Sequence, residues 1–220
     1  MGYRRVPLRD EEVYHVYSRS IAEYIIFRTD NDFRRFIETL YYYTAEKPPY
    51  KFSVYARLLA EARQKTMDQI DASSKTVQLI GFCIMPTHIH LILKQYQKDG
   101  ISGYIEQVLK SYSKYFNKKY NRHGPLFESR FKNVHVETSE QFLHLTRYVH
   151  LNPVSISLVK DPIDWDYSSY KQYLGILPEE DAICDFGGYF EMSEQAYKDF
   201  VLERADYQKE LQGIKHLLLE

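Results

Sequence analysis

The spacing of hydrophobic and polar residues predicts alternating strands and helices over about the first 175 residues. Strand-like alternation or short apolar runs predict four strands, at Val13–Arg19, Val77–Ile84, His88–Lys94 and Phe131–Val136. Helical spacing predicts three main helices, at Asp30–Tyr43, Ile101–Tyr120 and Ser139–Leu151. This order is that of a split β-α-β unit, so we expect an α+β fold of the ferredoxin-like or RRM-like type. Its antiparallel sheet should carry helices on one face.

The ends of these elements follow from local signals. Asp30 or Asn31 can cap the first helix, and Asn152-Pro153 should stop the helix that begins at Ser139. The segment 50–70 begins strand-like and continues as a helix, and a polar loop follows at 71–75. A further helix is expected near 193–207.

Composition narrows the class of protein. The chain has 220 residues, and its hydrophobic content of 44% is that of a globular protein. It has no apolar run of membrane-spanning length and no apolar segment after Met1, so we expect neither a membrane span nor a secretory signal. Its two cysteines, Cys83 and Cys184, cannot make a disulfide framework, which favours a cytoplasmic protein.

Charge is unevenly distributed along the chain, although the net charge is only −1. The segment Lys98–Lys132 has eight cations and three carboxylates, hence +5. The segment 176–220 has eleven acids and four bases, hence −7. A basic middle beside an acidic extension is typical of proteins that bind polyanions, and a merely solvated helix face is the alternative.

His88 and His90 alternate with apolar residues in the third predicted strand. Side chains alternate between the faces of a strand, so Ile89 and Leu91 should point into the core. The two histidines should share the other face, about 7 Å apart, and could bind one metal ion. An HxH pair also occurs by chance, so an incidental pair is the alternative.

Tyr148 and Asn152 lie one helical turn apart at the edge of the buried face of the helix that starts at Ser139. Tyr148 could be a packing residue or a nucleophile, and Asn152 a helix cap or an oxygen donor to a metal. His150 is turned about 160° from Tyr148 and should be structural or lie at the surface. His15 and His135 lie in predicted strands and could approach a metal.

Several separated motifs, in order, resemble those of one enzyme family. They are 16–19 (VYSR), 81–93 (GFCIMPTHIHLIL), 115–120 (YFNKKY), 124–132 (GPLFESRFK), 147–154 (RYVHLNPV) and 165–170 (WDYSSY). Together they resemble the single-tyrosine HUH transposases of the IS200-like type, and among them the REP-associated tyrosine transposases. The resemblance spans most of residues 13–175, so we expect a nuclease domain at 1–175 and an acidic helical extension at 176–220. An insertion at about 56–75 departs from the family pattern.

The resemblance implies a set of site residues. Tyr148 matches the nucleophile, His88 and His90 match metal ligands, and Asn152 stands where relatives carry Gln or Asn as a third ligand. The implied reaction is cleavage of single-stranded DNA through a 5′-phosphotyrosine intermediate. A divalent ion, Mg²⁺ or Mn²⁺, would polarise the scissile phosphate. A tyrosine pKa near 10 means that the hydroxyl needs a positive environment or a base.

The expected partner is single-stranded DNA with hairpin or palindromic REP-like sequences, in the bacterial cytoplasm and nucleoid. A homodimer is possible within the family. The residues expected to contact this DNA are Arg19, Lys110, Lys114, Tyr115, Lys118, Lys119, Arg122, Arg130 and Lys132. Tyr112, Tyr115 and Phe116 offer stacking surfaces for bases, with burial in the core as the alternative.

Two other functions share part of this pattern. A non-catalytic RRM-like module would use the same sheet to bind nucleic acid, but it needs neither the histidine pair nor Tyr148. A rolling-circle replication initiator or relaxase has the histidine pair and the chemistry, usually with further domains.

Overall fold

The computed structural model describes residues 7–128, 130–178, 181–189 and 192–204. The strands are β1 (Val13–Arg19), β2 (Val77–Ile84), β3 (His88–Gln95) and β4 (Lys132–Val136). The helices are α1 (Asp30–Tyr42), α2 (Phe52–Tyr55), α3 (Ala60–Asp71), α4 (Gly100–Lys119), α5 (Ser139–Ser155), α6 (Tyr170–Tyr173) and α7 (Glu194–Leu202). No helix among these residues is long and apolar enough to cross a membrane.

The strands form one antiparallel sheet in the order β2-β3-β1-β4. This is the strand order of a split β-α-β unit, so the predicted ferredoxin-like α+β fold is confirmed. β1 lies between β3 and β4, and its residues Tyr17 and Arg19 pair with His90 and His88 of β3. The pairing brings Tyr17 and Arg19 to the same part of the sheet as the two histidines of β3.

Each face of the sheet packs against different helices, so the expectation that helices lie on one face is wrong. On the first face, Tyr14 and Val16 of β1 and Leu91 of β3 join the main core with α1 and α4. Ile89 also lies in this core, as alternation predicted. On the second face, α5 packs Phe142 and Val149 onto β2 and β3. The helix that carries Tyr148 therefore lies on the face opposite α1 and α4.

α1 starts at Asp30 as predicted, but its capping residue differs from the prediction. Its cap is Thr29, whereas Asp30 and Asn31 lie inside the first turn. Asp32 closes this turn, because its carboxylate accepts from the backbone N–H of Thr29 at 3.1 Å. The capping box therefore pairs Thr29 with Asp32, three residues later, and does not use Asp30 or Asn31 as the cap.

The segment between α1 and β2 is helical rather than strand-like at its start. Phe52 and Tyr55 lie one turn apart on α2 and pack with Tyr42 of α1 and Ile70 of α3 in a small separate core. The aromatic residues that suggested a strand instead form this cluster. The polar loop predicted after residue 70 lies between α3 and β2.

α5 continues beyond Asn152-Pro153 to Ser155, so the prediction that these residues end the helix is wrong. Pro153 has no N–H, which leaves the carbonyl of Val149 without its usual donor. The Asn152 side chain lies 3.5 Å from that carbonyl and 2.8 Å from that of Tyr148, donating through Nδ2. Burial of Leu151 and Val154 against α6 and α7 holds the last turn in place.

The segment 165–169 runs along the outer edge of β2. The backbone N–H of Ile84 donates to the carbonyl of Tyr167 at 2.9 Å, and that of Ser169 donates to Phe82 at 2.9 Å. The indole N–H of Trp165 donates to the Ile84 carbonyl at 3.1 Å. The motif 165–170 therefore occupies the hydrogen-bonding edge of this strand.

The predicted C-terminal helix is present as α7, capped by Ser193. It packs Tyr197 and Val201 against α5 and α6. The end of the prediction, at 205–207, lies outside the described residues.

Candidate active site

The second face of the sheet carries a cluster of imidazole and phenol rings beside α5. His88 and His90 lie on this face, as alternation predicted, with their ring centroids 5.1 Å apart. His90 is only 5% exposed, and His88 is half-buried. Tyr17 stacks near His90, at 6.0 Å between centroids.

Tyr148 reaches this cluster from α5. Its ring centroid lies 5.6 Å from that of His90 and 5.9 Å from that of His15. The next residue, Val149, is fully buried against the sheet, which fixes the helix face that carries Tyr148. One chain therefore brings together the tyrosine and the histidine pair that the sequence singled out.

His15 is a member of the cluster that sequence reasoning left unassigned. Its Nε2 lies 2.9 Å from Nδ1 of His90, and the two rings stack at 5.2 Å between centroids. The signal was its place in β1, two residues from Tyr17 and on the same strand face. Only the pairing of β1 with β3 shows that this face adjoins His90.

Both histidines of the pair use Nδ1 in a hydrogen bond. Nδ1 of His88 lies 3.0 Å from the hydroxyl of Thr87, and Nδ1 of His90 is paired with His15. Among the described residues, neither Nε2 atom has a hydrogen-bond partner. Metal-ligating histidines characteristically have the second ring nitrogen held in this way. The arrangement leaves the Nε2 atoms as the candidate ligands.

Burial keeps these imidazoles uncharged at neutral pH. It lowers the pKa of His15 to about 4. Burial and, to a smaller extent, the nearby Arg19 charge lower the pKa of His88 to about 4. Burial also lowers the pKa of His90 well below its ordinary value. A neutral imidazole has a lone pair for a metal ion, so the electrostatics suit a ligand role.

Burial raises the pKa of the Tyr148 hydroxyl above its ordinary value. The positive charge of Arg19 and a hydrogen bond from Asn152 oppose this shift in pKa. Arg19 is exposed and pairs across the sheet with His88, so it lies at the open side of the cluster. It is the positive group that the sequence argument required near the tyrosine.

Asn152 lies in the interior of α5 and is only 2% exposed. Its amide nitrogen donates to the carbonyls of Tyr148 and Val149. It is therefore not a C-terminal cap, because the helix continues beyond it. Because the nitrogen is committed to the helix, any metal ligation by Asn152 would have to use the amide oxygen.

The donor set fits a hard or borderline divalent ion. Two imidazole nitrogens and one amide oxygen are a mixed N/O set, which Mn²⁺ accepts readily and Mg²⁺ accepts with more water. Among the residues that the structure describes, no group of three or more His, Cys, Asp or Glu is arranged to hold a metal. Further ligands would have to come from Asn152, water or substrate.

Three lysines of α4 form an exposed row. Lys110, Lys114 and Lys118 recur every four residues and all face solvent. Lys119 differs, because its Nζ lies 2.7 Å from the fully buried carboxylate of Asp32. Lys119 is therefore an ion-pair partner within the fold rather than an unpaired cation.

The stacking role expected of the α4 aromatics is largely wrong. Tyr112 and Phe116 are buried in the main core, since they lie on the helix face opposite the lysine row. Tyr115 is half-buried, and its hydroxyl donates to Asp32 at 2.9 Å. The alternative of core packing is thus the correct one for Tyr112 and Phe116.

The remaining cations expected to contact DNA lie at the surface. Arg130 and Lys132 are exposed, and Lys132 Nζ lies 5.8 Å from the centroid of the Tyr17 ring. Arg122 is half-buried and donates to Asn117 and to the carbonyl of Gly124.

The two other histidines considered from sequence lie away from the cluster. His150 is fully buried on the far side of α5, between the hydroxyls of Tyr197 (2.7 Å) and Ser169 (2.8 Å). Its predicted structural role is confirmed. His135 lies on the other face of the sheet and pairs with Glu12 at 2.9 Å.

Comparison with known proteins gives three findings. A family model described as "Transposase IS200 like" matches residues 37–152. A protein of Haemophilus influenzae (strain ATCC 51907 / DSM 11121 / KW20 / Rd), named "Putative REP-associated tyrosine transposase", is 27% identical over 124 residues, which are 50% of this chain and 67% of that relative. A solved REP-associated tyrosine transposase, bound to a REP hairpin, superposes with a TM-score of 0.54 at 14% identity, covering 88% of this chain and 96% of that one. At this identity the solved structure supports the fold alone.

Proposed function

Because the chain belongs to the IS200-like transposase family, we propose that it cuts and rejoins single-stranded DNA with Tyr148 as the nucleophile. The observation that carries this proposal is the contact of the Tyr148 ring with His90 and His15 of the same chain, at 5.6 and 5.9 Å. A non-catalytic RRM-like module would have no use for a tyrosine held against an HxH pair.

In the proposed reaction, the Tyr148 oxygen attacks the phosphorus of the scissile phosphodiester. The bond from phosphorus to the 3′ oxygen breaks, which leaves a 5′-phosphotyrosine and a free 3′-OH. The phosphoester energy is retained, so the reverse attack by a 3′-OH rejoins DNA without an external energy source. The phenol must lose its proton, and the charge of Arg19 favours this loss because it partly offsets the rise in the pKa of Tyr148 that burial causes.

The metal site of this proposal consists of Nε2 of His88, Nε2 of His90 and the amide oxygen of Asn152. A bound Mg²⁺ or Mn²⁺ would polarise the scissile phosphate for in-line attack. His15 and Thr87 would hold the two imidazole rings through their Nδ1 atoms. Asn152 would connect the site to α5, because its nitrogen is bonded to the carbonyl of Tyr148.

We propose hairpin DNA with a single-stranded flank as the substrate, in line with the REP hairpin bound by the solved structural neighbour. The exposed row Lys110, Lys114 and Lys118 would contact phosphates, together with Arg130 and Lys132. The nuclease domain would comprise residues 1–175, with residues 176–220 as an extension that braces α5 through α7.

The covalent adduct tests the proposal directly. Labelled hairpin DNA and Mn²⁺ should give a protein–DNA adduct with the parent protein and none with Tyr148→Phe, because the attacking oxygen is removed. DNA affinity and thermal stability should change little, since the ring is retained.

Tyr17→Phe is the matched control, because the Tyr17 ring lies on the same face, 6.0 Å from that of His90. This variant should still form the adduct. An adduct that survives in Tyr148→Phe and disappears in Tyr17→Phe would contradict the assignment and identify Tyr17 as the nucleophile.

A further inference from the structure

The segment 20–28, which we name the β1–α1 strap, joins the candidate active site to the end of α4. At one end, the backbone N–H of Ser20 donates to the carbonyl of Thr87 at 2.8 Å. Farther along, the N–H groups of Ile26 and Phe27 both donate to the carbonyl of Pro86, at 2.9 and 3.1 Å. The strap is thus fixed to the turn that immediately precedes His88.

Two successive residues of the strap adopt a left-handed backbone conformation. Ala22 has φ 49° and Glu23 has φ 52°, which are unfavourable for residues other than glycine. The following Tyr24 and Ile25 are 38% and 53% exposed, whereas Ile26 is fully buried. Strain of this kind persists where surrounding structure enforces it and is concentrated at functional sites. Here the two strained residues directly precede the exposed side chains of Tyr24 and Ile25.

Two guanidinium groups lie against the exposed Tyr24 ring. The Arg28 and Arg122 carbon atoms Cζ are 4.9 and 5.4 Å from its centroid. Arg28 donates to the Tyr24 hydroxyl and to the carbonyl of Ile25, and Arg122 to Asn117 and to the carbonyl of Gly124. Neither arginine forms an ion pair with a carboxylate of the described residues. These bonds pre-position both charges and leave donors for an anion.

We infer that the strap binds the single-stranded nucleotides that flank the DNA hairpin. A base would stack on the layer formed by the Tyr24 ring and the two guanidiniums, beside Ile25. The adjoining phosphates would be held by Arg28 and Arg122. Paired bases of a stem are already stacked and present only their edges, so this exposed layer suits unpaired nucleotides. The inference rests on the proposed function for the identity of the DNA. It extends the DNA-contact role that the sequence predicted for Arg122 to Tyr24, Ile25 and Arg28.

The experiment compares two DNAs by fluorescence anisotropy without metal: a hairpin with a short single-stranded flank and the same hairpin without it. Tyr24→Ala should weaken binding of the flanked hairpin by about ten-fold and leave the other unchanged. Tyr24→Phe should bind as the parent does, because the ring is retained. A plot of log affinity against log salt concentration has a negative slope. Arg122→Ala should reduce the size of this slope by about 0.7 for the flanked hairpin and leave it unchanged for the hairpin without the flank.

Tyr50→Ala is the matched control, since Tyr50 is 48% exposed and precedes α2 in the separate small core; its affinities should equal those of the parent. Equal losses for both DNAs in Tyr24→Ala would overturn the inference in favour of stem binding, and unchanged affinities in both Tyr24→Ala and Arg122→Ala would overturn it outright.

Adduct formation separates the two proposals. A parent protein that forms the Tyr148 adduct while the strap variants bind normally keeps the proposed function and loses the strap. A parent protein without an adduct whose strap variants lose flank affinity gives the opposite result.

Discussion

At the scale of single residues, the proposed metal site depends on the hydrogen bond between His15 and His90. With Nε2 of His90 on the metal, its Nδ1 carries the proton and donates to Nε2 of His15, 2.9 Å away. His15→Ala should therefore weaken Mn²⁺ affinity, measured by calorimetry, by about ten-fold or more, as loss of such a partner typically does. His15→Gln, which keeps a polar group at similar reach, should recover part of the affinity.

His135→Ala is the control for His15, because His135 lies in the neighbouring strand but on the opposite face of the sheet. It should leave Mn²⁺ affinity unchanged. Equal affinity in His15→Ala and the parent protein would show that His90 does not depend on this hydrogen bond, or that it is not a ligand.

Single residues also show where sequence reasoning stops. Alternation along β3 correctly predicted that Ile89 enters the core and that His88 and His90 share the other face. His15 could not be assigned, because its proximity to His90 depends on the pairing of β1 with β3, a contact between distant parts of the chain. Spacing made His88, His90, Tyr148 and Asn152 candidates, and the family resemblance chose among their alternative roles.

At the scale of elements, two lysines of α4 have different expected roles. Lys114 should contact phosphate, whereas Lys119 stabilises the fold. Lys114→Ala should flatten the slope of log affinity against log salt by about 0.7 without changing stability, since Lys114 is exposed in the lysine row. Lys119→Ala should instead lower the free energy of unfolding by about 1–3 kcal/mol, because it removes a charged hydrogen bond from the buried Asp32. Salt-dependent binding and urea unfolding of both variants check this pair of predictions. A reversed pattern, with Lys119 in the slope and Lys114 in stability, would contradict the structure.

His150 of α5 should make the stability of the protein depend on pH. Burial lowers the pKa of His150 to about 3, so it stays neutral in the folded protein while an unfolded histidine, with a pKa of 6.5, gains a proton. Its contribution to stability is complete above pH 6.5 and is lost as the pH falls from 6.5 toward 3. From pH 7 to pH 5 the loss should be about 2 kcal/mol. Urea unfolding at both pH values should show a smaller decrease for His150→Gln than for the parent; an equal decrease would assign the pH dependence to other groups.

Element boundaries were harder to predict than elements. β1 and β2 match their predicted bounds, because apolar alternation is local. The end of α5 did not follow the proline rule, since the Asn152 side chain occupies the carbonyls near Pro153 and α6 and α7 bury the last turn. The burial of Tyr112 and Phe116 depended on which face of α4 meets the sheet, and lysine spacing alone did not reveal this.

At the scale of the whole molecule, Tyr148 lies beside the histidines of its own chain, which favours a site completed within one chain. Tyr148 contacts His90 of its own sheet, and α5 is held on its other side by α7 through His150 and Tyr197. A mixture of Tyr148→Phe with a His88→Ala, His90→Ala double variant should therefore form no adduct, because neither chain has a complete site. Gel analysis of the mixture checks this. Recovery of adduct would mean that α5 serves the sheet of a partner chain.

The segment 165–169 that lies along β2 also bears on how the molecule behaves at high concentration. An open strand edge is a template on which other chains can add β-structure. The backbone bonds of Ile84 and Ser169 occupy part of the β2 edge, and β4 is the other edge strand of the sheet. Self-association by strand addition would then begin at β4. The charge of the exposed Lys132 would repel the same strand of a second chain, whereas the apolar side chain of Val134, 54% exposed, would favour the association.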